Sequence, residues 1–96
     1  MEIGTLEELA SIAEKVHVGD VVKVQAVDWC MYTRVEPIER TYPFRIMRAI
    51  VYGEVIHVDH EGLTIAAETF EDGGLRGVRT YPIVTIEQVT ILEKKE

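Results

Sequence analysis

A mainly β domain with one N-terminal α-helix is what this chain predicts, and three observations carry the prediction. Apolar residues recur at helical spacing only near the start, over residues 5–16. From Val21 onward the pattern changes to short alternating or continuous apolar runs, about five in all. Turn residues separate many of these runs, at Gly19-Asp20, at Asp59-His60-Glu61-Gly62 and at Glu71-Asp72-Gly73-Gly74. A length of 96 residues corresponds to one compact domain, 1–96, with a capping helix over 5–16 and a β-structure over 20–92. Short strands joined at such spacing favour a small, strongly bent barrel over an open sheet.

Each element has its own reason. Thr5-Leu6-Glu7-Glu8 fits a capping box, with Thr5 as N-cap and Glu8 at the third helical position. Leu6, Leu9, Ala10, Ala13 and Val16 then form the apolar stripe of a short amphipathic helix, which is expected to cover one open end of the barrel. Val21–Val27 reads as the first strand, with Val22, Val24 and Ala26 on one side. Pro37 and Pro43 make 36–43 a long connection. A second strand is expected over about 45–58. Its nearly continuous apolar run implies burial on both faces of part of it, and Gly53 marks a bend or bulge. Asp59–Gly62 reads as a tight turn with its glycine left-handed, followed by a third strand from Leu63. A fourth strand covers about 77–81, where Pro82 is expected to end the pairing. A single turn over 83–87 and a short closing strand over 88–92 complete the chain before a charged tail.

From about Val51 to Leu92 the chain resembles the Sm-like and SH3-like group of small five-stranded barrels, including uncharacterised prokaryotic members. The match lies in Gly53-Glu54-Val55, the turn from Asp59 to Leu63, and Tyr81-Pro82-Ile83 followed by Ile86, Val89, Ile91 and Leu92. These are packing and turn residues, so the resemblance implies a fold and little about function. RNA-binding Sm-like members carry an Asn before the turn leucine and an Arg-Gly pair near the last strands. Here Gly62 and Tyr81-Pro82 stand in those places, so both parts of the uridine pocket are missing. The helix fits the Sm-like layout, and ring formation is common in that group.

The formal net charge of −7 opposes non-specific attraction to nucleic acid or anionic lipid. It is unevenly distributed: residues 1–28 carry −4, 29–53 carry +2, 54–72 carry −6 and 73–96 carry +1. The basic stretch also holds Trp29, Tyr32, Tyr42, Phe44 and Tyr52, five of the seven aromatics. Trp, Tyr and Arg are the residue types enriched at interface hot spots. Trp29 and Cys30 read most simply as core, the cysteine as a small apolar side chain. The candidate binding residues are therefore Arg34, Arg40, Tyr42, Phe44, Arg45, Arg48 and Tyr52. Arg76 and Arg79 would join the same positive patch if the strands present them on one side.

Other constellations carry less. His57, Asp59 and His60 combine metal-binding side chains, yet they read as an exposed polar hairpin end. Gly73-Gly74 lacks the strand–glycine–helix context and the lysine of a phosphate loop. Glu7-Glu8 and Glu71-Asp72 belong to a helix start and a solvated loop. No catalytic residue, metal or cofactor is predicted. One cysteine, no membrane-spanning apolar run and an N-terminus unlike a secretion signal point to the cytoplasm. The function expected is a non-catalytic protein interaction or assembly module, with a protein partner or self-association into a homo-oligomer. The alternative is binding of RNA or single-stranded DNA through the same Arg- and aromatic-rich segment.

Overall fold

The computed structural model describes residues 1–28 and 47–96. The chain is mainly β: among the described residues six antiparallel strands form one sheet, beside two short helices and a 3₁₀ turn. In chain order these are β1 (Glu2–Ile3), α1 (Leu6–Ala10), α2 (Ile12–Lys15), β2 (Val21–Asp28), β3 (Met47–Val58), β4 (Gly62–Thr69), β5 (Leu75–Pro82), a 3₁₀ turn (Ile83–Thr85) and β6 (Ile86–Glu93). The strand order is β1-β6-β2-β3-β4-β5. Among the described residues the count is thus six strands and not five. The sheet is open: β1 and β5 are its two edges and do not pair with each other. The extra strand is β1, where Glu2 and Ile3 pair with Thr90 and Val89. Two residues are too few to show a period in sequence, although Ile3 is fully buried.

The expected single helix is two. Thr5 does cap the first, accepting from Glu8 N–H at 3.1 Å while Glu8 Oε1 accepts from Thr5 N–H at 3.1 Å. Those bonds hold the Glu8 carboxyl below its ordinary pKa. Ser11 then breaks the run, because its hydroxyl donates to Glu7 O at 3.1 Å and competes for a helix carbonyl. The break turns the buried face: Leu9, Ile12 and Val16 enter the core, while Ala10 and Ala13 are exposed and Leu6 is 88% exposed.

The core lies between this segment and one face of the sheet. Ile3, Leu9, Ile12 and Val16 belong to one buried cluster with Val22, Val24 and Ala26 of β2, Val55, Leu63, Ile65, Tyr81, Ile86 and Val89. The alternation expected for β2 holds. In β3, burial on both faces does not. Val51 and Val55 turn inward, whereas Ile50 and Tyr52 lie on the uncovered outer face. A continuous apolar run here means one covered face and one apolar exposed face.

Gly53 is needed for close approach. A Cβ there would lie 2.6 Å from Ala66 O, and the register irregularity falls two residues later, between Val55 and His57. Gly62 is not left-handed; its role is proximity to Tyr81 O, 3.1 Å from where a Cβ would sit. Pro82 does not end the pairing of β5, since it pairs with Gly62. Ile83 N–H donates to Glu61 O, which makes the Gly62–Pro82 pair a non-hydrogen-bonded one, where a missing N–H costs nothing. The 3₁₀ turn takes up the expected single turn, and β6 begins at Ile86, earlier than expected.

Candidate functional site

Of the seven candidate binding residues, Arg34, Arg40, Tyr42, Phe44 and Arg45 lie outside the described residues, as do Trp29 and Cys30. Arg48 and Tyr52 lie within β3, and the strand places them together. Residues 48, 50 and 52 share the outer face, and the ladder sets Tyr52 opposite Lys23, Ile50 opposite Gln25 and Arg48 opposite Val27. Tyr52 is 59% exposed and Ile50 is 55% exposed. Arg48 Nε donates to Glu87 Oε1 at 2.8 Å, across β2. The outer face of β2 and β3 thus offers an apolar pair between a lysine and a neutralised arginine.

Ile50 is legible in sequence only as core. It sits in a run of apolar residues, and nothing there separates a strand covered on two faces from one left open on its outer side.

Arg76 and Arg79 do not join this surface. Three residues apart along β5, they leave it on opposite faces. Arg76 packs 5.3 Å from the Phe70 ring centroid and pairs with Glu68 at 3.5 Å. The distal half of the β4–β5 hairpin is exposed on both faces, with Phe70, Leu75 and Val78 between 43% and 49% exposed.

At the β3–β4 turn, His57 Nε2 donates to Asp59 Oδ2 at 2.9 Å, and Asp59 Oδ1 accepts from Glu61 N–H at 2.8 Å and Gly62 N–H at 3.0 Å. The imidazole bond is the largest cause, with the two backbone bonds behind it, that lowers the Asp59 pKa to about 2. His60 turns away, with Nε2 3.6 Å from Glu61 Oε1. Among the described residues no group of three or more His, Cys, Asp or Glu side chains is placed to hold a metal ion. The turn carboxylate is occupied by the turn itself. Replacing His57 by alanine is expected to move the Asp59 titration up from about 2 toward the ordinary aspartate value near ~3.9, followed by carboxyl carbon NMR. An unchanged titration would assign the depression to the backbone bonds alone.

Among the described residues no helix is long and apolar enough to cross a membrane. The fold and this surface define a small mainly β module with an exposed apolar strand face. Comparison with family models, with curated proteins and with solved structures found no match to this chain.

Proposed function

We propose that the chain is a non-catalytic interaction and assembly module that recognises protein through the outer face of β2 and β3, in the cytoplasm. The observation that carries this is the pair Ile50 and Tyr52, each more than half exposed on neighbouring outward positions of one strand. Such an apolar pair ringed by Lys23, Gln25 and Arg48 has the makeup of an interface centre with a polar rim. Arg34, Arg40, Tyr42, Phe44 and Arg45 belong to the same proposal by residue type alone. The run of β2 to β5 and a 3₁₀ turn before the last strand, preceded by a short helical segment, supports kinship with Sm-like and SH3-like barrels. Nucleic-acid binding is the weaker reading, because Arg48 is held by Glu87 and Arg76 by Glu68.

The test compares wild type with Tyr52→Ala, whose side chain leaves no cavity. Truncating an interface anchor costs about 2 kcal/mol, so affinity for a recovered protein partner or for a second copy should fall by more than tenfold. Binding that is indifferent to Tyr52 would overturn the assignment of this face. Oligonucleotide binding that weakens by roughly 0.9 log units per log unit of salt for each phosphate contacted would favour the nucleic-acid reading instead.

A further inference from the structure

We infer that the open edge of β3 is a self-pairing edge, and that two copies join there in antiparallel register about Ile50. The inference rests on the assembly reading above and names its partner: a second copy of this chain.

Hydrogen-bond direction identifies the edge. Val55 N–H donates to Asp20 O, one step beyond the Val21–Glu54 pair, so Gly53, Val51 and Ala49 exchange their main-chain bonds with β2. By the same alternation Arg48, Ile50, Tyr52 and Glu54 point their N–H and C=O toward the β4 side. β4 meets β3 only from Glu54 onward, where Glu54 pairs with Ala66. Among the described residues, the main-chain groups of Arg48, Ile50 and Tyr52 therefore lack a strand partner. The segment Met47-Arg48-Ala49-Ile50-Val51-Tyr52 is apolar, free of proline and glycine, and carries one charge.

The outer edge of the sheet is built differently. β5 carries Arg76, Arg79 and Pro82, and Gly77 sits at φ 67 in its middle. Charge, proline and a local twist are the devices by which edge strands avoid pairing. β5 has all of them and the open part of β3 has only Arg48.

The sequence of the edge is self-complementary. A two-fold axis at Ile50 sets Ile50 against Ile50 of the second copy, Arg48 against its Tyr52 and Tyr52 against its Arg48. All three edge-facing residues are then used, each exchanging both main-chain bonds. Apolar and arginine–aromatic cross-strand pairs of this kind are favourable. Glu87 neutralises Arg48 in each copy, so the edge brings no net charge to the contact despite the −7 of the chain. Such an interface is isologous and closes at two copies.

The decisive experiment uses position 50, which faces its own copy. Wild type should sediment at twice the chain mass of 10.9 kDa. Ile50→Lys and Ile50→Glu should each be monomeric, with melting curves close to wild type because the side chain is exposed. Mixed in equal amounts, the two variants should form a heterodimer, seen by native mass spectrometry. A wild type that stays monomeric at its highest soluble concentration overturns the inference; if it still binds another protein in a Tyr52-dependent manner, the interaction reading stands without it. A dimer that survives both charged variants shows that copies meet elsewhere, which also overturns the edge.

Discussion

Gly53→Ala is expected to destabilise the fold by about 3 kcal/mol, the upper range for forcing an atom into packed surroundings. For a domain of this size that corresponds to a fall in melting temperature of roughly 10–20 °C. The cause is contact and not backbone conformation, since Gly53 is not among the positive-φ glycines. The added Cβ would lie 2.6 Å from Ala66 O, 3.1 Å from Ala66 C and 3.3 Å from Ile65 Cβ. The first two are main-chain atoms of β4, so relief requires the strands to separate at the point where their pairing begins. Gly4→Ala is the matched control. Its Cβ would meet its nearest neighbours at 3.6 Å and 3.8 Å, ordinary contact, so it should melt within a degree or two of wild type. Equal melting temperatures for the two variants would show that β3 and β4 can part at Gly53 without cost.

The same glycine shows what the sequence can and cannot say. Its position inside an apolar strand marks a special site, but the bend expected there lies at Val55–His57. What glycine does here depends on Ala66, thirteen residues on, and proximity of that kind has no local signature. Elements with a strong period are legible: Val22, Val24 and Ala26 are buried as their alternation requires, and Thr5 and Glu8 form the box their spacing implies. The helix stripe is misplaced in sequence because Ser11, ordinary by residue type, bonds a carbonyl of the preceding turn and rotates the residues after it. The sixth strand escapes a reading of periods because β1 is too short to carry one. Of the candidate site, composition alone finds Arg48 and Tyr52. It does not find Ile50, because exposure of an apolar strand residue depends on which neighbouring strand leaves and where.

Replacing the buried Asp20 should cost about 3 kcal/mol, and this loss should shrink in acid. Asp20 is fully buried, the only polar residue so placed among those described, and it ties three parts of the chain together. Its Oδ2 accepts from Lys94 Nζ at 2.8 Å and from His17 N–H at 2.9 Å, and its Oδ1 accepts from Lys95 N–H at 2.9 Å. Lys94 Nζ also donates to Lys15 O at 2.7 Å and His17 Nδ1 at 2.9 Å, so the end of α2 is bound to the end of β6. Asp20→Ala leaves two main-chain N–H groups without their carboxylate, and each buried unpaired donor costs about 1–3 kcal/mol. Asp20→Asn keeps the volume but turns an amide N–H toward these donors, so it should recover only part of the loss. Burial alone pushes the Asp20 carboxyl up, but the bonds from Lys94, Lys95 and His17 outweigh it and hold the pKa below its ordinary value. A carboxyl depressed in the folded state stabilises fully above its unfolded pKa near ~3.9, and that contribution disappears as pH falls through the lower folded value. Denaturant titrations of wild type and Asp20→Asn at neutral pH and near pH ~3 should therefore show the difference between them narrowing in acid. A difference that stays constant over that range would mean that folding does not depress the Asp20 pKa.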